Sequence, residues 1–125
     1  MTSLAQLKDE MWVFYSRWRK TGSYCPALKR NVRVSLMGWN HLVGQSGNKK
    51  RSTGDVFRRL NLLPHARDVI EMSHTIQNKK KNYFVLEAVV NDIEKSEISV
   101  KKVRVIILED RNKSLIFLSV MGKKI

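Results

Sequence analysis

Acidic residues are missing from a long stretch of this chain: none occurs between Glu10 and Asp55. Across all 125 residues, 11 acids face 24 lysines and arginines, a formal net charge of +13 at neutral pH. Such an imbalance destabilises the compact state by self-repulsion, and a phosphate-rich partner usually accounts for it. Cysteine is almost absent. The single Cys25 excludes an internal disulfide and a multi-thiolate zinc site, which suits a reducing, cytoplasmic compartment. It lies in a Ser-Tyr-Cys-Pro turn and is expected to pack rather than react. No apolar run approaches the roughly 18 residues of a membrane span, and the first residues lack a signal-peptide pattern. No pair of histidines or carboxylates has metal-ligand spacing, so neither a metal nor another cofactor is expected. Internal repeats and low-complexity segments are also missing, which points to one domain large enough to bury a core.

The residues that are present divide into helical and extended patterns. Ser3 with Gln6 forms a capping box, and Leu4, Leu7, Met11, Phe14 and Trp18 follow at helical spacing up to Thr21-Gly22. Arg17, Arg19 and Lys20 in the last turn oppose the negative end of the helix dipole. Residues 23–31 read as a connector around Pro26, residues 31–35, with Val32 and Val34, as a short strand or extended entry, and Leu36–Val43 as a turn of helix. Ser52 or Thr53 caps a further helical stripe from Val56 to Met72. Pro64 is expected to break that stripe into two helices, with Arg58, Arg59 and Arg67 on its outer face.

From His74 onward the period changes. Thr75 and Ile76 are expected to start a strand, and Lys79-Lys80-Lys81 to turn it. Three β-rich runs, 83–90, 100–108 and 114–121, are joined by polar turns and predict an antiparallel meander. Helices first and strands afterwards is an α+β pattern, with N-terminal helices packed on one face of a C-terminal antiparallel sheet of three to four strands.

The stretch from Asn31 to Arg51 carries the most chemistry. His41 stands beside Trp39 and Asn40, and the acid-free segment ends in Lys49-Lys50-Arg51. The intervening Gly44–Asn48 loop is not a phosphate-binding P-loop, because it lacks the Gly-Lys-Ser/Thr ending and a preceding buried strand. Each β-rich run holds one polar intruder: Glu87, Arg104 and Ser119. Alternation places all three on the sheet face opposite the apolar residues. In the plainest account, Glu87 and Arg104 form a cross-strand ion pair that keeps an open face soluble. In the functional account they floor a catalytic site. Cleaving RNA without a metal requires a base for the ribose 2′-proton, an acid for the leaving oxygen and cations for the charge gathering on phosphorus. His41, Glu87, Arg51 and Arg104 supply such groups, with Ser119 as a hydroxyl donor to phosphate; which of His41 and Glu87 is acid or base stays open. Arg33, Trp39, Lys49, Lys50 and Arg58 are the candidate nucleic-acid contacts.

The pieces GWNH (38–41), KKR (49–51), RRLNLLPHARDVIE (58–71), KKVRVIIL (101–108) and FLSVM (117–121) resemble the barnase–EndoU–colicin–RelE-like nuclease superfamily, in particular its phage-associated branch. The resemblance covers about residues 31–122 and leaves the N-terminal helix aside. It implies metal-independent RNA cleavage of a toxin-like kind, with roles for His41, a basic residue among 49–51, and Ser119. The expected partner is nucleic acid, RNA above all, and a toxin-like protein would also have an acidic inhibitor protein. A non-catalytic RNA- or DNA-binding module on the same scaffold is the alternative.

Overall fold

The computed structural model describes residues 2–44, 51–94 and 97–123, and the side chains of all of these except 92–94. Its elements follow in the order α1 (Leu4–Thr21), β1 (Ser23–Cys25), β2 (Arg30–Arg33), α2 (Leu36–Val43), α3 (Thr53–Met72), β3 (Asn78–Lys80), β4 (Tyr83–Glu94), β5 (Glu97–Glu109) and β6 (Leu115–Lys123). The class is α+β. The sheet is wider than the meander expected, with six strands ordered β1-β2-β6-β5-β4-β3. It is also mixed, because β2 pairs with β6 in parallel. Nor do all helices precede the strands: β1 and β2 form a hairpin between α1 and α2.

The helix starts obey their local chemistry. Ser3 and Gln6 make the reciprocal capping box of α1, with bonds of 3.0 and 3.1 Å, and the Ser52 hydroxyl accepts from Asp55 N at the start of α3. Pro64 does not divide α3, which runs unbroken from Thr53 to Met72. A proline in a helix interior costs about 3 kcal/mol. Here Leu60, Leu62, Leu63, Ala66, Val69 and Ile70 are all buried around it. At about 2 kcal/mol for each large side chain, their burial outweighs one missing hydrogen bond.

One face of the sheet carries the core. Phe84, Leu86, Val103, Val105, Ile107 and Val120 are buried in one cluster with Tyr15 and Trp18 of α1, Leu42 of α2 and the α3 stripe. Ring contacts tie α1 to the sheet, Trp18 meeting Phe117 at 5.0 Å between centroids. A buried polar chain adds directionality: Trp18 Nε1 donates to Ser23 Oγ at 2.8 Å, which donates to Glu71 Oε2 at 2.6 Å. Close backbone approach seats α2. A Cβ on Gly38 would stand 2.5 Å from the Tyr15 hydroxyl and 2.6 Å from the Phe117 carbonyl oxygen, so only glycine fits.

Among the described residues, the buried side chains of α1, α2 and α3 belong to that one cluster. On the opposite face cross-strand partners form rows, since paired residues share a face. Arg33, Ile116, Leu108 and Tyr83 form one row. Ser119, Ile106 and Val85 form the next, then Met121, Arg104 and Glu87, and finally Lys123, Lys102 and Val89. A β-bulge between Ile106 and Ile107 shifts the β5–β6 register within this sequence of rows.

Candidate functional site

Three elements converge where β6 runs on past the end of β2, whose pairing with it stops at Arg33–Ile116. Helix α2 ends at Gly44, which adopts the left-handed conformation (φ 78°) that glycine tolerates. A Cβ there would come within 2.7 Å of Arg51 N, so the chain closes tightly back on α2. This closure brings Arg51 to His41: Arg51 Nε donates to the His41 carbonyl oxygen.

The first turns of α3 then supply two more groups. Arg51 Nη1 donates to Asp55 Oδ2 at 3.0 Å, and Arg59 Nε donates to Asp55 Oδ1 at 3.1 Å. One carboxylate thus bridges two guanidiniums. Arg59 reaches further, its Nη1 donating to Ser119 Oγ at 2.7 Å and to the Val120 carbonyl oxygen at 3.1 Å. The sheet edge at β6 is therefore capped by an arginine side chain instead of a strand. The Nη2 groups of both arginines lie outside these bonds.

The electrostatics follow from that geometry. Partial burial disfavours a charged imidazole, and the Arg51 and Arg59 charges add to it, so the His41 pKa lies below its usual 6.5. At neutral pH the ring is uncharged and able to accept a proton. Burial would raise the Asp55 carboxyl, but the Arg51 hydrogen bond and the Arg59 charge hold it below the usual aspartate range. Arg59 is itself pushed down, first by burial and then by Arg51, with Asp55 acting in the opposite direction.

Glu87 and Arg104 form a second cluster on the open face. Arg104 Nε donates to Glu87 Oε2 at 2.6 Å, and Lys102 Nζ stands 3.6 Å from Glu87 Oε1. Only 5% of the Glu87 side chain is exposed. Burial alone would raise its pKa, yet the Arg104 hydrogen bond and charge, joined by Lys102, bring it below the usual glutamate value. Glu87 is thus a charged group that orients two cations. It is not a proton donor at neutral pH.

The register puts Glu87, Arg104 and Ser119 on one sheet face. It does not put Glu87 in bonding reach of Ser119: two strand spacings, about 10 Å, separate β4 from β6. His41, Arg51 and Ser119 share the cluster at the β6 edge, and Arg104 lies one row further along. Arg33 stands exposed on the open face, in the row before Ser119. Arg58 is exposed on α3. Trp39 packs between α1 and α2, with ring centroids 5.0 Å from Trp12 and 5.4 Å from Tyr15. Lys49 and Lys50 lie outside the described residues.

Arg59 is the residue that sequence reasoning misplaced. It does not decorate an outer face; its side chain is 14% exposed and turned to Ser119. The signal was its spacing. Arg51, Asp55 and Arg59 stand four apart: Asp55 and Arg59 share one face of α3, and Arg51, just before the Ser52 cap, meets Asp55 from the other side to give a cation–anion–cation ladder. Among the described residues no group of histidine, cysteine and carboxylate side chains could hold a metal ion, and no helix is long and apolar enough to cross a membrane. No family model matches this sequence, and neither the curated proteins nor the solved structures contain a match to it.

Proposed function

We propose that this protein is a small ribonuclease that cleaves RNA without a metal, using His41 as the base. The observation that carries the reading is geometric: Arg51 bonds the His41 carbonyl and shares Asp55 with Arg59, which reaches Ser119. A partly buried histidine, its pKa lowered first by burial and then by the two arginine charges, thus sits at one end of a fixed chain of cations. A base must be unprotonated at working pH, and the charge developing on phosphate must meet fixed cations nearby. In the proposed step, neutral His41 takes the proton of a ribose 2′-hydroxyl. The 2′-oxygen then bonds to the adjacent phosphorus, and the bond from phosphorus to the 5′-oxygen breaks. That leaving oxygen takes its proton from water. Arg51 and Arg59 stabilise the extra negative charge on the non-bridging oxygens, and Ser119 fixes the Arg59 fork. Arg104 and Lys102, oriented by Glu87, hold the RNA backbone one and two rows away.

A toxin-like setting, with an acidic inhibitor covering the same cations, fits the charge imbalance. A non-catalytic RNA-binding module is the second reading, and one observation favours it: the site has a base but no carboxylic acid protonated at neutral pH. The deciding experiment is cleavage of total RNA in EDTA by the wild type and by His41→Ala, after both give the same thermal midpoint. Cleavage lost in the variant supports the nuclease. No cleavage by the wild type, together with salt-sensitive RNA retention, supports the binding module. Equal cleavage by both removes His41 from the site.

A further inference from the structure

Among the described residues, three that are not glycine have a left-handed backbone, and all three are lysines: Lys29 (φ 55°), Lys81 (φ 51°) and Lys113 (φ 66°). That conformation crowds the Cβ and is normally filled by glycine or asparagine. Lysine gains nothing from it locally, so its presence three times calls for another cause.

The three positions meet at one end of the sheet. Lys29 closes the β1–β2 turn, Lys81 the β3–β4 turn and Lys113 the β5–β6 turn. Because β2 and β6 run in parallel, their starts lie side by side. Register then places the end of β5 and the start of β4 beside them, through the pairs Leu115–Glu109 and Leu108–Tyr83. Direct bonds join the turns: Arg30 Nη1 donates to the Lys113 carbonyl oxygen at 2.9 Å, and Glu109 N donates to the Asn82 carbonyl oxygen at 2.7 Å. Both acids at this end are engaged. Glu109 pairs with Arg30 at 2.8 Å and Lys113 at 4.0 Å, and Asp110 accepts from Asn112 N and Ser114 N within its own turn. The tips of Lys29, Lys81 and Lys113 are exposed, and Lys80 and Arg111 extend the same basic surface.

We infer that these three turns form a second nucleic-acid site, a comb of exposed lysines that grips phosphates of the RNA flank beyond the β6-edge cluster. The inference rests on the RNA reading above for its ligand, though not on cleavage. The open face links the two places, since the row of Arg33 and exposed Tyr83 lies between the turns and Ser119. From Lys113 to Ser119 the strand covers about 20 Å at its ordinary rise. With one phosphate per about 3.4 Å of a stacked strand, roughly six nucleotides bridge that span. An anionic membrane is the lesser fit, because a lipid surface takes cations bordered by exposed apolar side chains. The most exposed aliphatic ones of the sheet, Val89, Ile98 and Val100, lie towards the other end of β4 and β5 from the turns.

The test is the triple variant Lys29→Gly, Lys81→Gly, Lys113→Gly, with the three Lys→Asn changes as a second set. Both replacements suit a left-handed backbone, so the thermal midpoint should hold or rise. Binding is read by fluorescence anisotropy with a 20-nucleotide RNA and a trinucleotide across a salt series, and with phosphatidylserine vesicles. Three lost contacts at about 0.7 each lower the log–log salt slope by about 2, and the 20-mer affinity at 0.1 M salt by about a hundredfold. The trinucleotide, too short to span both places, should bind as before. An unchanged slope for the 20-mer, or loss of vesicle binding alone, overturns the second site. A wild type that binds no RNA at all overturns the RNA reading instead.

Discussion

Asp55→Asn tests whether the arginine pair is held by a charge or merely by shape. The substitution keeps the side-chain outline and leaves the backbone bond to Ser52 intact, but removes the negative charge shared by Arg51 and Arg59. Hydrogen bonds to charged groups contribute about 1.5–3 kcal/mol each, and the amide oxygen preserves part of one. The Asp55 side chain is 28% exposed and the Arg59 side chain 14%, so water makes good only part of the loss. The expected destabilisation is about 2 kcal/mol at pH 7, which for a chain of this length lowers the thermal midpoint by about 8 °C.

The pH dependence makes the prediction specific. The folded pKa of Asp55 lies below the usual 3.8 because its two arginines favour the ionised form beyond what burial takes away. A carboxyl depressed in the folded state stabilises above its unfolded pKa, and that contribution is lost as pH falls through the folded pKa. The gap between wild type and Asp55→Asn should therefore be full at pH 7 and shrink as pH drops below 3.8. Calorimetry at a series of pH values reads it directly. A gap under about 2 °C at pH 7, or one that stays constant down to pH 2, would refute the reasoning. The same variant leaves both guanidinium charges uncompensated, so the His41 imidazole should titrate still lower by NMR.

Further outcomes follow from neighbouring groups. With the His41 pKa lowered by burial, Arg51 and Arg59, the acidic limb of any RNA-cleavage profile should fall below pH 6.5, and His41→Ala should abolish that limb along with the rate. Gly38→Ala forces a methyl group against the Tyr15 hydroxyl and the Phe117 carbonyl, and should lower stability by about 3 kcal/mol in urea titration. Ser23→Ala breaks the chain from Trp18 to Glu71, leaving a buried indole N–H unpaired at a cost of about 2 kcal/mol, visible as an earlier urea midpoint. Cys25 is fully buried and its thiol is pushed up by that burial, so thiol labelling of the native protein should proceed only at the rate of unfolding.

Long elements were legible in the sequence and short ones were not. The α1 stripe and its capping box, the α2 turn and the three β-rich runs each span enough residues for a period to declare itself. Strand β1, at three residues, does not, and β2, at four, shows only as the short extended entry around Val32. The pairing of β2 with β6 joins residues more than 80 positions apart in the chain, which no local pattern encodes. Pro64 departs from its local pattern for a related reason: the local penalty is real, but the burial that overrides it is tertiary. At the site, alternation placed Glu87, Arg104 and Ser119 on a common face, but it said nothing about distance. Arg59 escaped because an arginine on a helix usually faces solvent, and only the β6 edge it caps reveals the exception.

The cations of this protein fall into two kinds, and the difference bears on how a chain of such high charge folds and binds. Arg51 and Arg59 share Asp55, while Arg104 and Lys102 share Glu87. Each pair is partly buried and has its own carboxylate, so its position is set before any ligand arrives. Such groups add little long-range attraction, because their charge is half cancelled, but they present fixed donors to a phosphate that displaces water. The turn lysines differ in exposure, and among the described residues only Lys113 of the three pairs with a carboxylate, Glu109 at 4.0 Å. Lys29, Lys81 and the tip of Lys113 are well exposed, and their field extends about a Debye length, near 8 Å at physiological salt. They attract a polyanion from solution without discriminating its sequence. On the proposed reading, affinity and positioning are thus carried by separate residues, at the start of β6 and at its middle. Raising the salt should then weaken capture of long RNA much more than it slows the bond-breaking step once RNA is bound. Salt should raise KM steeply and leave kcat nearly flat; a kcat that falls in parallel with the affinity would argue that one set of cations serves both tasks.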